Sequence, residues 1–155
     1  MSSPNSVIFD RIRIVVIRPA LKKDLVECEK LGDIPEFESP GGDHIDKKFM
    51  ENYLDKNFFL VVQENSKIIG YIIGEVLRGK GVIIWYFTIK KEGQRKGFGK
   101  KLLIEFEKRC KRNGIDWVVL YGPAFNINTL EFYKKMRYVR GNNFYEFVKE
   151  FDNEK

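Results

Sequence analysis

Val82-Ile83-Ile84-Trp85-Tyr86-Phe87-Thr88-Ile89 is an almost wholly apolar run, and shortly after it comes Gln94-Arg95-Lys96-Gly97-Phe98-Gly99-Lys100-Lys101-Leu102-Leu103. The β-branched and aromatic content of the first stretch reads as a buried strand. The second opens an amphipathic helix, with Leu102, Leu103, Phe106 and Cys110 on one face until Asn113-Gly114 stops it. Two glycines, Gly97 and Gly99, sit where the second stretch turns into its helix. Glycine there lets backbone approach a ligand closely, and the unpaired N–H groups of a helix N-terminus face an anion, typically a phosphate. Two familiar phosphate patterns fail. A Walker loop needs Gly at 94 and Ser or Thr at 101, where the chain has Gln94 and Lys101. A dinucleotide fingerprint starting at Gly97 needs a third glycine at the position of Leu102. ATPase and dehydrogenase readings lose their support.

Working outward, Trp117 to Tyr121 reads as a short buried strand, and the helix before it makes it a parallel neighbour of the 82–89 strand in a right-handed βαβ unit. Upstream, Phe58 to Gln63 and Lys67 to Leu77 complete an antiparallel meander through turns at Glu64-Asn65-Ser66 and Gly79-Lys80-Gly81. Ile12 to Ile17 predicts a first strand, broken by Arg18-Pro19-Ala20, and Leu21, Leu25, Cys28 and Leu31 predict a helix ending at Gly32. Asp33 to Asp43 reads as a loop and candidate mobile lid, followed by a helix marked by Ile45, Phe49, Tyr53 and Leu54. Downstream, a helix over 128–136 precedes a terminal hairpin, Tyr138 to Arg140 and Phe144 to Phe151, around Gly141-Asn142-Asn143. The class is α/β with a mixed sheet.

The 155 residues are 43% hydrophobic and 32% charged, which predicts one globular domain over 1–155, with residues 1–7 a flexible terminus. Met1 to Ser6 is polar and no apolar stretch follows, so no secretory signal is read and a cytoplasmic location is expected. No apolar run approaches a membrane span. Cys28 and Cys110 show no metal spacing, and no metal is expected. The net charge is +6, and the basic excess crowds from Lys90 to Arg112, where an anion would bind. With Trp85, Tyr86 and Phe98 nearby, that charge also admits a basic nucleic-acid-binding module, yet no helix-turn-helix, zinc-finger or RRM signature accompanies it.

Gln94-x-x-Gly97-x-Gly99 resembles the acetyl-CoA pyrophosphate loop of the GNAT superfamily of N-acetyltransferases. A second segment agrees: Asn126-x-x-Thr129-x-x-Phe132-Tyr133-x-x-x-Arg137-Tyr138 resembles the family's Asn-x-x-Ala-x-x-Phe-Tyr-x-x-x-Gly-Phe, with Thr129 and Arg137 departing from the usual Ala and Gly. Ile17-Arg18-Pro19-Ala20 followed by Asp24-Leu25 is similar to the family's opening. The resemblance covers roughly residues 12–149 and implies a mostly antiparallel sheet of about six to seven strands, flanked by about four helices, with splayed parallel strands four and five.

It also implies roles. Phe87, Thr88 and Ile89 would offer backbone groups to the pantetheine arm of acetyl-CoA, which lies along the fourth strand like an extra strand. Gln94, Arg95, Lys96, Gly97, Phe98, Gly99 and Lys100 would form the pyrophosphate loop, with basic side chains reaching the 3′-phosphate. Asn126, Asn128, Phe132 and Tyr133 would complete the cofactor site, Asn126 near the strand opening and Phe132 packing the helix. Pro123, lacking an N–H, would help end pairing on the fifth strand. Tyr133 matches the family's general acid. A free thiol has a pKa of about 8.5 and a phenol about 10, so a Tyr O–H can protonate a departing thiolate with a small mismatch. Backbone N–H near Ile89 would stabilise the oxyanion.

Direct attack requires a neutral amine. At neutral pH a lysine-type amine is neutral in roughly one molecule of 2,500, an α-amine in roughly one of six. Some family members supply a glutamate on the fourth or fifth strand, but Val82 to Phe87 and Leu120-Tyr121-Gly122 hold no carboxylate. The remaining candidates are Glu75 on the third strand, Glu36, Glu38 and Asp43 in the loop, and a water relayed through Tyr121; His44 reads as a surface residue. Glu75 is taken with Tyr133 as the catalytic pair, against a solvated-strand reading. The acids of the loop would attract a cationic acceptor. The expected partner is an amine acceptor, either a small molecule or a protein; nucleic acid and membrane are not expected, and the terminal hairpin offers an edge through which two copies could pair as a homodimer, the oligomeric state being left open. A non-catalytic acyl-CoA sensor is the alternative on the same fold.

Overall fold

The computed structural model describes residues 13–40 and 42–151, so the expectation for residues 1–7 lies outside the described residues. One five-stranded sheet organises the molecule: β1 (Val15–Pro19), β2 (Phe59–Glu64), β3 (Lys67–Leu77), β4 (Gly81–Ile89) and β5 (Trp117–Leu120) lie in that spatial order. β1 to β4 pair antiparallel, and β5 joins β4 in parallel, as the intervening helix requires. The helices are α1 (Leu25–Gly32), α2 (Lys47–Glu51), α3 (Phe98–Arg112) and α4 (Ile127–Lys135).

The strand period of two sends alternate residues to two cores. On one face Leu60, Val62, Ile72, Val82 and Ile84 meet Phe98, Leu102, Leu103 and Phe106 of α3, with α4 contributing Phe132 and Tyr133. On the other, Val61, Tyr71 and Ile73 meet Leu25 and Cys28 of α1 and Met50 of α2. Gly74 lets α3 lie close to the sheet, because a Cβ there would stand 2.6 Å from Cζ of Phe106. α3 ends in a Schellman motif: Gly114, at φ +71°, donates to Lys111 O and Ile115 donates to Cys110 O at 2.9 Å.

At the far side of the sheet, Arg18 clamps Asp24 through Nη1–H to Oδ2 (2.6 Å) and Nη2–H to Oδ1 (3.0 Å), while Gln63 Oε1 accepts two further guanidinium hydrogens. The pair fastens β1 and β2 to the turn that opens α1.

Three expectations are corrected. The sheet has five strands among the described residues, not six or seven. No hairpin forms over 138–151, and Phe144, Tyr145, Phe147 and Phe151 are exposed. Strand propensity largely reports side-chain packing against neighbouring strands, and this run pairs neither with the free edge of β5 nor with any other strand, which leaves its aromatics uncovered. The hairpin expected to pair between copies therefore has no strand to rest on. Finally, α2 is little more than one turn, closed by Asn52 and followed by Asp55 and Asn57 at positive φ. Its start is capped by Asp46, whose Oδ1 accepts the Phe49 N–H at 2.7 Å.

Candidate active site

The β4–β5 pair, at one edge of the sheet, opens partway along its length. β4 and β5 pair only from Gly81↔Trp117 to Ile84↔Leu120, and β4 then runs on to Ile89 with no strand beside its outer edge. Pro123 follows shortly after β5 ends and cannot donate to a ladder. The phase of the β3–β4 ladder shows which groups face the opening. Lys90 N–H donates to Ile69 O at 2.7 Å, so by alternation Phe87 and Ile89 turn their backbone groups away from β3, into the open edge. Thr88, opposite Tyr71, turns its own toward β3.

Beyond Ile89 the chain makes a 3-10 turn (Lys91–Gly93) and enters α3 through Arg95 at φ +62° and Gly97 at φ +83°. Glycine suits the second position because of its left-handed φ alone, since a Cβ there would stand in open space. Among the described residues, no acceptor takes the backbone N–H groups of Arg95, Lys96, Gly97, Phe98, Gly99 or Lys100; the first to be taken is that of Lys101, by Gly97 O at 3.1 Å. Six consecutive free donors at a helix N-terminus, ringed by the exposed side chains of Arg95, Lys96, Lys100 and Lys101, form an anion cradle. Phe98 itself is buried in the core and anchors the turn.

Two of the expected cofactor residues are spoken for by the protein itself. The side-chain amide of Gln94 donates to Ile89 O at 2.9 Å, pinning the loop to the end of β4. Asn126 Oδ1 accepts the Thr129 N–H at 3.1 Å and caps α4. Asn128 is exposed on the first turn of α4.

α4 carries the aromatic wall of the opening. Phe132 lies 5.9 Å from Phe87 and close to Gly99, and Tyr133 lies 6.5 Å from Phe87 and 5.5 Å from Tyr138, between ring centroids. Burial pushes the Tyr133 phenol upward, so it stays protonated, and its hydroxyl has no hydrogen-bond partner among the described residues. Arg137, where the resembling pattern has glycine, adopts φ +65° at the end of α4.

Glu75 stands on the opposite face of the sheet. A β-bulge brings Trp85 to it: Ile73 opposes Tyr86 and Gly74 opposes Ile84, leaving Trp85 as the extra residue of β4. The indole N–H donates to Glu75 Oε2 at 2.6 Å, and the Tyr53 hydroxyl donates to the same oxygen at 3.3 Å. Sequence reading missed this cluster, because a bulge that re-aims one side chain leaves no mark in an apolar run. The other candidate bases disperse. Glu36 and Glu38 flank Phe37, whose ring packs on Tyr86 at 5.0 Å. His44 sits beside Asp33 (3.3 Å) in a separate surface hollow of about 330 Å³ with Glu29, Lys30 and Asp46. Tyr121 is exposed and packs on Phe144. Among the described residues no group of three or more His, Cys, Asp or Glu could hold a metal ion, and no helix is long and apolar enough to cross a membrane.

Residues 22–138 match the family model described as the acetyltransferase (GNAT) family. No curated protein matches the sequence. Among solved structures, the chain is similar to Ard1 from Thermoplasma volcanium, with 19% identity, a TM-score of 0.72 and coverage of 83% of this chain and 84% of that one. It is similar to an aminoglycoside acetyltransferase from an uncultured soil metagenomic sample, at 20% identity, TM-score 0.71 and coverage of 92% and 99%. It is also similar to the ribosomal-protein-S18-alanine N-acetyltransferase from Escherichia coli, at 16% identity, TM-score 0.66 and coverage of 79% and 76%. At these identities the likenesses carry the fold.

Proposed function

The chain belongs to the GNAT acetyltransferase family, whose cosubstrate is acetyl-CoA, and from that premise we propose that it acetylates a primary amine by direct attack in a ternary complex. The observation that carries this reading is the run of free N–H groups from Arg95 to Lys100, continuous with the unpaired edge of β4 at Phe87 and Ile89. Donors and cations at the cradle suit a pyrophosphate, and an open strand edge suits the amide-bearing pantetheine arm. Phe132 packs against that arm, and Lys and Arg side chains around the cradle reach the 3′-phosphate.

The chemistry then follows from what the opening holds. The neutral amine attacks the thioester carbonyl; a C–N bond forms, the C–S bond breaks, and the electron pair leaves on sulfur. Backbone N–H at Ile89 faces the same edge and stabilises the oxyanion. Tyr133 donates to the departing thiolate. Its raised pKa makes proton transfer to a thiolate uphill, so its contribution is first a hydrogen bond to the developing charge on sulfur, and a proton that does pass to sulfur is replaced on the phenolate from water. The amine's own proton passes to water. Protein N-termini, lysines, polyamines, aminoglycoside-like amines and amino acids are the acceptor classes, and the structural neighbours named for aminoglycoside and ribosomal-protein acetylation keep both small-molecule and protein acceptors in view.

A thermal melt with acetyl-CoA, against coenzyme A, ATP and duplex DNA, tests the cradle. Ligand at about 100 times its dissociation constant stabilises by roughly 2.7 kcal/mol, a shift on the order of 5 to 10 °C for a domain of this size. A shift with DNA and none with the coenzymes would overturn the reading. Tyr133→Phe is expected to lower kcat by about 100-fold or more with coenzyme affinity unchanged; full activity in that variant removes Tyr133 from the mechanism.

A further inference from the structure

Trp85 and Tyr53 reach the carboxylate that sequence reading took for a base, and three more aromatic side chains extend from Tyr53. Phe37 packs edge-on against Tyr86 (5.0 Å), Tyr86 against Phe49 (5.8 Å) and Phe49 against Tyr53 (5.1 Å), so a continuous wall runs from the 33–43 loop across α2 to Glu75. Trp85, half exposed, closes the other side. Glu75 is exposed too, and both of its donors use one oxygen: Trp85 Nε1–H and Tyr53 O–H converge on Oε2. Among the described residues Oε1 receives no hydrogen bond, although it is fixed in place by its partner oxygen. Burial and the neighbouring Glu75 push the Tyr53 phenol up to about 12, so Tyr53 remains a donor there.

The wall already holds one cation, with Lys56 Nζ 5.9 Å from the Tyr53 ring centroid. Position links the cluster to the reaction. β4 parts from β5 after Ile84, and Trp85 and Tyr86 are the next two residues, on the α1–α2 side of the sheet, while the anion cradle and Tyr133 lie on the α3–α4 side. Glu36 and Glu38 flank Phe37 and add negative charge on the acceptor side.

We propose that Glu75, framed by Trp85, Tyr53 and Tyr86, binds a second ammonium group of the acceptor, so that the substrate is a small molecule carrying two or more aliphatic amines. One amine is anchored at Oε1 and against the aromatic faces; the other meets the thioester at the strand opening. Glu75 is thus a substrate-binding group rather than the base. This inference rests on the amine-acetylating reading above.

The test is calorimetric titration of the protein saturated with coenzyme A, using spermidine and butylamine as probes, on the wild type and on Glu75→Gln. Glutamine keeps an acceptor for Trp85 and Tyr53 but loses the charge. Spermidine is expected to bind the wild type at least about tenfold more tightly than butylamine, with that ratio collapsing in the variant. Equal binding of the two probes by the wild type, or an undiminished ratio in Glu75→Gln, overturns the proposal. Kinetics test it independently: Glu75→Gln should raise KM for spermidine more than it lowers kcat, and a fall in kcat for every acceptor at constant KM would make Glu75 a base and overturn it. Should the glutamine variant melt early, Trp85→Leu removes the indole face and N–H at an exposed position, and the ratio is expected to fall there as well; a retained ratio counts against the proposal. Absence of coenzyme A binding in the first titration would defeat the acetyltransferase reading itself, whereas coenzyme binding without a spermidine preference defeats the present inference alone.

Discussion

Tyr71 buries a phenol at the centre of the sheet, and its hydroxyl meets no hydrogen-bond partner among the described residues. A buried, unpaired hydroxyl costs free energy on folding, so deleting it is cheap. Tyr71→Phe is therefore expected to leave stability unchanged or raise it by up to about 1 kcal/mol in urea unfolding, and a loss of that size would reveal a hidden partner. Asp24 is the opposite case. Burial alone would raise its pKa, but the Arg18 guanidinium and the Leu21 N–H outweigh that and hold it below the usual carboxylate range. A carboxyl depressed in the folded state adds stability above its unfolded pKa, about 3.9, and loses it as pH falls through the folded value. Melting temperatures of the wild type should fall below about pH 4 more steeply than those of Asp24→Asn, which starts about 1 to 3 kcal/mol lower at neutral pH because the partly buried Arg18 keeps Gln63 but loses its counter-charge. Parallel acid profiles would show that Asp24 carries none of the pH dependence.

α4 shows how a local departure from pattern becomes a measurable strain. Arg137 N–H donates to Lys134 O at 3.0 Å and Tyr138 N–H to Tyr133 O at 2.9 Å, the two bonds of a Schellman ending, with Arg137 at φ +65°. Glycine accepts that conformation without a Cβ penalty. Arg137→Gly is expected to stabilise the protein by about 1 kcal/mol, read as a higher urea midpoint at unchanged slope; a lower midpoint would mean the Arg137 side chain makes a compensating contact. The motif that carries Arg137 was legible in the sequence, as were β2, β3, β4 and α3, since each has a long periodic pattern and a turn residue at its end. The 144–151 run has equally strand-like composition and forms no strand, because composition does not reveal whether a segment will pair with a neighbouring edge. Gln94 and Asn126 were legible as motif positions, but only coordinates show that their side chains hold Ile89 O and Thr129 N–H. Glu75 was legible as a carboxylate on β3, while its indole partner required the bulge at Trp85.

Across the whole molecule, charge is sorted by the sheet opening. The net charge is +6, and Arg95, Lys96, Lys100 and Lys101 stand at the cradle, with Lys108, Arg109, Lys111 and Arg112 at the far end of α3, while Glu36, Glu38 and Glu75 stand on the other side of the sheet. An anionic cosubstrate and a cationic acceptor would thus approach from separate directions, each toward charge of the opposite sign. Salt distinguishes the two ways in which the cradle can hold its anion. Direct N–H bonds to the pyrophosphate act at contact distance and are weakly screened, whereas exposed lysine and arginine side chains act over a range that shrinks from about 10 Å at 0.1 M to about 3 Å at 1 M. If basic side chains hold the 3′-phosphate, raising NaCl over that interval should weaken coenzyme A by about tenfold, a loss of about 1.4 kcal/mol, and weaken 3′-dephospho-coenzyme A much less. Titrations of both ligands across the salt series read this directly. Parallel shallow slopes would place the anion-binding energy in the backbone of residues 95–100 and leave the surrounding cations to guide encounter, whereas parallel steep slopes would put those cations on the pyrophosphate that both ligands share.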